Sequence, residues 1–192
     1  MSRPVPSDEV WVDLRLVVRM SPIEGRGLFA VGPVPEGTVV VRLGGRLVTT
    51  DELDALLARA AADPDVPFVD TLTVHPDSHL VLPQGTAAHF VNHRCDPTLW
   101  HVGPYEVATR RPLRAGDEAT IDYGTLSSAT MTMPCHCRAD RCRGVVTAED
   151  WRRPELQRRY GDHWTPALLE RIRADHRGAT APPPRPRPNL AP

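Results

Sequence analysis

Apolar and polar positions alternate through several short stretches of the first 110 residues. Residues 10–18 place valine or leucine at every second position, which is the period-two pattern of a half-buried strand. Two apolar runs, 39–43 and 46–48, flank Gly44-Gly45 and predict a hairpin, because glycine accepts the positive φ angles of tight turns. Further short strands are predicted at 72–74, 80–82 and 106–109.

Helical patterns are fewer. Thr49 opens a capping-box signature, and the apolar stripe behind it predicts a helix that ends before Pro64. Residues 154–160 predict a second helix, and Thr165-Pro166 predicts the start of a third. The chain is therefore expected to be mainly β with short helices.

Length and composition are those of a single globular domain. The chain has 192 residues, of which 41% are hydrophobic and 24% charged. Its apolar runs are too short to span a membrane. The first residues lack the apolar stretch of a signal peptide, so we expect a cytoplasmic protein with reduced cysteines.

Charge is distributed unevenly along the chain. All 23 basic residues are arginine, so the chain contains no lysine of its own. Residues 1–140 carry 12 arginines against 18 acidic residues, whereas residues 141–192 carry 11 arginines against 6. The imbalance has two interpretations: solvated helix faces near the C-terminal end, or an acidic body that suits a basic peptide substrate.

The spacing of the cysteines indicates a metal site. Cys135, Cys137 and Cys142 form a C-x-C-x4-C pattern, and the remaining cysteine, Cys95, lies 40 residues upstream. A structural zinc ion is commonly enclosed by four thiolates in tetrahedral geometry. One zinc ion would pin the segment after residue 134 onto the body around Cys95. The alternative interpretation is four unrelated free thiols.

Two histidines and one tyrosine also carry potential chemistry. His89 and His93 are four residues apart, which is the spacing of two metal ligands on one helix face. Phe90 stands where a zinc hydrolase would have its glutamate, so structural histidines are the favoured interpretation. Tyr123 ends a short predicted strand, 119–123, that follows a turn at Gly116-Asp117.

Taken in order, these motifs resemble the SET-domain family over residues 10–147. The matching residues are Gly25-Arg26-Gly27-Leu28, then Asn92, His93 and Cys95, then Gly116, Glu118, Thr120, Asp122, Tyr123 and Gly124, and finally Cys135, Cys137, Cys142, Arg143 and Gly144. The resemblance implies a complete SET domain at 10–134, with a β-clip-like fold and a knot-like core, and a post-SET zinc segment at 135–147. A C-terminal helical extension at 148–177 and a disordered tail rich in proline and arginine at 178–192 are predicted to follow.

The resemblance also implies a function. Members of the family transfer a methyl group from S-adenosylmethionine to a protein lysine, so the implied partner is a protein or peptide that bears lysine, with no membrane and no clear nucleic-acid binding. Tyr123 is the implied catalytic residue, Ile121 is implied to line the substrate channel, and one structural zinc is implied at Cys95, Cys135, Cys137 and Cys142. The implied cofactor-binding residues are Arg26, Gly27, Leu28, Asn92, His93, Tyr123, Arg143 and Val146.

The chain departs from the family pattern near the substrate channel. Thr98 stands where the family usually has asparagine, His89 replaces an arginine, and no tyrosine precedes Asn92 to line the channel. Two functions follow. The first is an active lysine methyltransferase, which the presence of Asn92, His93 and Tyr123 favours. The second is a catalytically weak or inactive SET-like module that binds cofactor, zinc or a partner, which the missing channel tyrosine favours.

Overall fold

Short antiparallel strands make up most of the chain in the computed structural model, which describes residues 5–178 apart from 64, 66–68 and 127–130. The strands of this described part are β1 Trp11–Val12, β2 Leu16–Met20, β3 Arg26–Ala30, β4 Val39–Arg42, β5 Arg46–Val48, β6 Thr71–His75, β7 Ser78–Val81, β8 Leu99–His101, β9 Glu106–Thr109, β10 Glu118–Ala119, β11 Thr132–Pro134 and β12 Val145–Thr147. The α-helices are α1 Thr50–Ala62, α2 Pro154–Tyr160 and α3 Pro166–His176, and 3-10 turns lie at Ala87–Phe90, Tyr123–Thr125 and Asp150–Arg152. The predicted class, mainly β with short helices, is confirmed. The predicted tail beyond Gly178 lies outside the described residues.

The strands form small antiparallel sheets with the orders β1-β4-β9-β8, β10-β3-β2, β5-β7-β6 and β11-β12. Buried side chains such as Leu28, Val40 and Leu99 pack the first two sheets together. Each such side chain contributes about 1.5–3 kcal/mol when it leaves water. The main core therefore lies between these two sheets.

The hairpin predicted at Gly44-Gly45 is wrong, although both of its strands exist. β4 pairs with β1 and β9, whereas β5 belongs to another sheet and pairs with β7. The two glycines instead permit close approaches of backbone. A Cβ atom at Gly44 would overlap the carbonyl oxygen of Glu9, and one at Gly45 would overlap that of Val81. Glycine marks a crossing of chain segments here, with no hairpin turn.

The single strand predicted over residues 10–18 is interrupted by a turn. The Asp13 carboxylate accepts hydrogen bonds from both the main-chain N–H and the guanidinium of Arg15, and this turn separates β1 from β2. Leu14 lies at the tip and is 91% exposed. The apolar alternation thus runs through a turn that only the Asp13 hydrogen bonds reveal.

Local signals predicted the helices correctly. Thr49 caps α1 through the expected capping box. Pro154 and Pro166 occupy the first turns of α2 and α3, where proline loses no helical hydrogen bond. Gly161 follows α2 with a positive φ angle. Among the described residues, no helix is long and apolar enough to cross a membrane.

Two distant segments pair in parallel at the centre of the fold. His93 and Ile121 form an isolated parallel bridge, supported by hydrogen bonds of 3.0 Å from Ile121 N to Asn92 O and from Arg94 N to Ile121 O. Further along, the Thr98 hydroxyl oxygen accepts the main-chain N–H of Thr120 at 2.8 Å. We call this pairing the parallel join. It brings the motif that contains Asn92 and His93 next to the motif that contains Asp122 and Tyr123, as a knot-like core requires.

A buried carboxylate, Asp122, attaches the C-terminal region to the parallel join. It accepts two hydrogen bonds of 2.6 Å from the Arg143 guanidinium and one of 2.7 Å from the Tyr160 hydroxyl. Arg143 also forms an ion pair of 2.9 Å with Asp150. Burial alone would raise the pKa of Asp122, but the hydrogen bonds and charge of Arg143 lower it below its ordinary value. The carboxylate is therefore ionised although it is buried.

The helical extension has its own apolar cluster and further bonds to the domain. The cluster consists of Trp151, Leu156, Tyr160, Trp164, Leu168 and Ile172. Arg159 donates from Nη1 to the carbonyl oxygen of Cys95 at 2.8 Å, and the Thr165 N–H donates to that of Thr125 at 3.2 Å. The extension thus contacts both segments that meet in the parallel join.

Replacing Tyr160 by phenylalanine should lower the free energy of unfolding by about 1.5–3 kcal/mol, the usual contribution of a hydrogen bond to a charged group. The ring would keep its edge contact with Trp164, so the lost hydroxyl is the main change. Urea denaturation followed by circular dichroism measures the effect. Tyr123→Phe is the matched control, because its hydroxyl donates to the uncharged carbonyl of Val91 and should cost only about 0.5–1.5 kcal/mol. Equal losses in the two variants would contradict a charge-assisted bond.

Candidate active site and metal cluster

Asn92 connects residues 24–27 to the parallel join. Its Nδ2 atom lies 3.1 Å from Glu24 O, 3.0 Å from Arg26 O and 2.8 Å from Glu118 Oε1. Gly27 lies directly against this group, since a Cβ atom there would overlap the Glu118 carboxylate. Three of the predicted cofactor residues, Arg26, Gly27 and Asn92, are therefore neighbours in space.

The oxygen atoms around Asn92 form what we call the acceptor-rich edge. It consists of the carbonyl oxygens of Glu24 and Arg26 and the Glu118 carboxylate, all within hydrogen-bond distance of Asn92 Nδ2. Such a set attracts N–H donors and positive charge. S-adenosylmethionine carries both an ammonium and a sulfonium group, so the residues present fit the predicted cofactor.

His93 connects the parallel join to the cysteines. Its Nδ1 atom accepts the main-chain N–H of Tyr123 at 3.1 Å, and its Nε2 atom lies 3.3 Å from Cys95 Sγ. Burial lowers the pKa of His93 to about 4, opposed by the charge of Asp122 and aided by that of Arg143, so the ring is neutral. A neutral imidazole has one N–H group. Because Nδ1 is an acceptor, the hydrogen is on Nε2 and points to the Cys95 sulfur.

Three of the four predicted zinc ligands meet beside this histidine. The ligand atoms of His93, Cys95, Cys135 and Cys137 all lie within 4.8 Å of one another. Cys95 Sγ is 3.7 Å from Cys135 Sγ, and the Cys95 N–H donates to Cys137 Sγ at 3.4 Å. The thiol of the more exposed Cys142 donates to the Cys135 carbonyl at 3.7 Å and also interacts with the side chains of Cys135 and Cys137. None of the four cysteines forms a disulfide.

This donor set fits a tetrahedral zinc ion, which binds thiolates and imidazoles. The Nε2–H group prevents His93 from using Nε2 as a ligand as long as Nδ1 accepts from Tyr123. Cys142 is then the fourth donor beside the cluster, and His93 donates to a ligand from outside. The set Cys95, Cys135, Cys137 and Cys142 remains a prediction. Burial raises the pKa of Cys137, but the N–H groups of Cys95 and Ala139 outweigh it and lower the value to about 7, which favours a thiolate.

Tyr123 and Ile121 lie in the wall of a cavity of about 310 Å³, which we call the acceptor cavity. The Tyr123 hydroxyl donates to Val91 O at 2.9 Å. Burial, followed by the charges of Asp70 and Glu118, raises the pKa of Tyr123 to about 12, so the phenol is protonated. The rest of the wall consists of the apolar Val41, Leu43, Leu72, Leu82, Ala88, Val91, Val107 and Leu126 and the polar Asp70, Thr71, His89 and His101.

Three predicted cofactor-binding residues have side chains that contact other parts of the protein. Leu28 is fully buried in the main core. Val146 is fully buried against the cysteine cluster and Tyr123. The Arg143 guanidinium is bonded to Asp122 and Asp150, while the Arg143 main-chain N–H donates to Cys95 Sγ at 3.4 Å. A contact between these residues and the cofactor stays a prediction.

The two histidines of the zinc-hydrolase interpretation have different partners. His89 Nδ1 lies 2.5 Å from Asp70 Oδ2, and its side chain is 8% exposed. His93 instead faces Tyr123 and Cys95. The 3-10 turn that carries His89 ends at Phe90, so the two imidazoles do not share a helix face. The structural interpretation of His89 agrees with this geometry.

Sequence reasoning assigned no role to Glu118, Asp122 or His101. The two carboxylates lie within a matched motif, but their partners come from distant segments. His101 is 1% exposed, and among the described residues neither of its ring nitrogens has a hydrogen-bond partner. Burial and the neighbouring His163 lower the pKa of His101 to about 4. It lies outside every motif, and only the alternation along β8 indicates that it faces inward.

Known proteins match this chain over the region that contains the site. Residues 25–124 match the sequence profile of the SET domain. Human histone-lysine N-methyltransferase 2B is 34% identical over 144 residues, which is 66% of this chain and 5% of that protein. Histone-lysine N-methyltransferase Su(var)3-9 of Drosophila melanogaster is 30% identical over 148 residues, which is 64% of this chain and 23% of that protein. The chain thus spans less than a quarter of the length of either relative.

A solved structure shares the fold. The methyltransferase domain of human histone-lysine N-methyltransferase SETMAR superimposes with a TM-score of 0.55 at 18% identity, over 70% of this chain and 58% of that one. The profile match covers more than half of the present chain and includes Gly27, the parallel join and Tyr123. This chain belongs to the SET-domain family.

Proposed function

We propose that the protein is an S-adenosylmethionine-dependent methyltransferase that methylates a lysine side chain of a protein substrate. One observation carries the proposal: Tyr123 has its ring in the wall of the acceptor cavity, and its main chain is bonded to His93, next to the acceptor-rich edge. The relatives named as histone-lysine methyltransferases support the same reaction.

The cavity wall weakens the alternative of an inactive module. That alternative relied on the missing channel tyrosine. The wall holds the polar side chains of Asp70, His89 and His101 among the apolar ones and includes Tyr123. A cavity of this composition could accept a lysine side chain without the missing tyrosine, which supports the enzyme over the inactive module.

The chemistry needs positioning and charge stabilisation more than covalent catalysis. S-adenosylmethionine supplies a methyl group on a positively charged sulfur. Glu118, Asn92 and the Arg26 carbonyl would bind the positive end of the cofactor at the acceptor-rich edge. The apolar wall of the acceptor cavity would lower the pKa of a lysine ammonium by desolvation, so that the neutral amine attacks. Holding the two reactants in line supplies much of the acceleration.

Tyr123 would orient the amine. Its hydroxyl hydrogen is directed at Val91 O, so its oxygen lone pairs are the atoms that complement an amine N–H and a polarised methyl group. The raised pKa of about 12 means that the phenol does not act as the base at neutral pH.

Zinc would give the post-SET segment its place against the active site. The predicted ligands join Cys95, next to the parallel join, to the segment that carries Arg143 and Val146. His93 would transmit this order to Tyr123, because it donates to Cys95 and accepts from the Tyr123 main chain.

Replacing Tyr123 by phenylalanine should reduce methyl transfer by about 100-fold, because one preorganised polar group is lost from the reacting centre. The assay uses tritiated S-adenosylmethionine with core histones and with an unfractionated protein extract, followed by amino-acid analysis of labelled bands. The enzyme contains no lysine, so methyllysine cannot arise from the enzyme itself. Cofactor affinity, measured by calorimetry, should stay within about threefold. Absence of methyllysine with the unmodified protein would refute the proposed reaction.

Purified protein should contain one equivalent of zinc. Cys137→Ser and Cys142→Ser should each lose it, because a structural site requires four donors. Metal analysis measures the content, and the charge-transfer intensity of cobalt-substituted protein counts the thiolate ligands. A three-thiolate spectrum, or full zinc in Cys142→Ser, would show that His93 is the fourth ligand.

Ile121 should allow more than one methyl group to be added. It is smaller than an aromatic ring, has no hydroxyl to hold the amine, and lies in the cavity wall. Dimethyl or trimethyl product should therefore accumulate, and Ile121→Tyr should shift the product to monomethyl. Ile121→Phe, with similar bulk and no hydroxyl, is the control that separates size from hydrogen bonding. Mass spectrometry of one peptide gives the answer, and exclusively monomethyl product from the unmodified enzyme would contradict the prediction.

A further inference from the structure

Few side chains in the wall of the acceptor cavity carry a full charge. Its ionisable side chains are Asp70, His89, His101 and Tyr123. Tyr123 is a neutral phenol, and the lowered pKa of His101 keeps that imidazole neutral. Among the described residues, neither arginine nor lysine lines the wall. Asp70, together with its partner His89, is therefore the source of full charge on an otherwise apolar surface.

His89 holds the Asp70 carboxylate in place. Nδ1 of the histidine lies 2.5 Å from Oδ2 of the aspartate, so one carboxylate oxygen is occupied by this bond. The main chain of Asp70 is also fixed, because its carbonyl oxygen accepts the N–H of Leu82 at 3.0 Å. The next residue, Thr71, begins β6 and pairs with Val81. The carboxylate thus has a defined position on the edge of the cavity.

The exposure of the two side chains places the pair at the boundary between cavity and solvent. The His89 side chain is 8% exposed, whereas that of Asp70 is 33% exposed. Asp70 also lies near enough to Tyr123 for its charge to raise the pKa of that phenol. The Asp70 side chain therefore borders both the cavity that contains Tyr123 and the solvent.

A negative charge at this position selects for a cation. Salt screens a partly enclosed charge less than a fully exposed one, so its attraction for an opposite charge is stronger than on an open surface. The apolar remainder of the wall suits the methylene groups of a long side chain. A lysine side chain combines four methylene groups with a terminal ammonium.

We propose that Asp70, held by His89, is the residue of the acceptor cavity that recognises the substrate ammonium. The lysine then enters as a cation and is bound through Asp70. It releases its proton to solvent water as the amine moves into the apolar part of the cavity next to Tyr123, where desolvation lowers the pKa of the ammonium. This assignment rests on the proposed lysine methyltransferase function and names the recognition element within it.

Asp70→Asn is the decisive variant, since the amide keeps the shape and an oxygen that accepts from His89. With the substrate found in the labelling assay, the variant should raise KM for the acceptor by about 10-fold or more and leave KM for S-adenosylmethionine unchanged. Asp162→Asn is the matched control, because Asp162 is exposed in an ion pair with Arg173 outside the cavity. An unchanged acceptor KM in Asp70→Asn would overturn the assignment while leaving the methyltransferase proposal intact.

A binding experiment separates the assignment from turnover. n-Butylammonium chloride serves as the probe for the lysine side chain and n-butanol as its uncharged counterpart, with the methyl NMR signals of Leu72 and Leu82 reporting on the cavity. The unmodified protein should bind the ammonium at least about 10-fold more tightly than Asp70→Asn, with equal affinity of both proteins for the alcohol. Equal ammonium affinity in the two proteins would overturn the assignment even if no methylated protein were found.

Discussion

The carboxylate of Asp122 is completely removed from solvent, and three hydrogen bonds from Arg143 and Tyr160 compensate for its lost hydration. Burying an ion costs several kcal/mol even after relaxation, and removing one partner of a buried pair is usually more damaging than never having the pair. Loss of either donor, Arg143 or Tyr160, would therefore leave the buried carboxylate with an uncompensated loss of hydration. Asp122, which directly precedes Tyr123, is bonded to the post-SET segment through Arg143 and to the helical extension through Tyr160.

His93 connects the buried Asp122 carboxylate to Tyr123 and to Cys95. It lies 3.6 Å from Asp122, accepts a hydrogen bond from Tyr123 N and donates one to Cys95. The Tyr123 N–H restricts the ring to one tautomer, because a neutral imidazole that accepts at Nδ1 carries its hydrogen on Nε2. The cysteine cluster and Tyr123 are therefore adjacent members of one hydrogen-bonded chain.

The sequence predicted correctly the residues that act through local signals or short motifs. Thr49, Pro154 and Pro166 act through neighbours a few positions away. The short motifs around Asn92 and Tyr123 meet, as the knot-like core implied by the family resemblance requires. Failures occurred where a residue acts through a distant partner. Gly44 and Gly45 have the composition of a turn, but their role is set by Glu9 and Val81. The apolar pattern around Leu14 contains no sign of the turn made by Asp13.

The same distinction limits what the site residues reveal. Arg143 is a predicted cofactor-binding residue. Its guanidinium is bonded to two carboxylates, Asp122 and Asp150, whose positions depend on the folded chain. His101 lies outside every motif, and the alternation along β8 indicates only that it faces inward. A linear pattern reports which chemistry is available, and the fold decides which atoms remain free to use it.

The SET profile ends at residue 124, but Arg143, Arg159, Tyr160 and Thr165 all donate hydrogen bonds to the region of its motifs. The described residues from 143 to 165 are thus not a detachable module. A chimera that joined this domain to another protein's C-terminal helices would leave the Asp122 carboxylate short of a donor, unless the incoming helix supplied a hydroxyl at the position of Tyr160. When segments are exchanged between related proteins, Asp122, Arg143 and Tyr160 must therefore be kept together, although they lie far apart in the sequence.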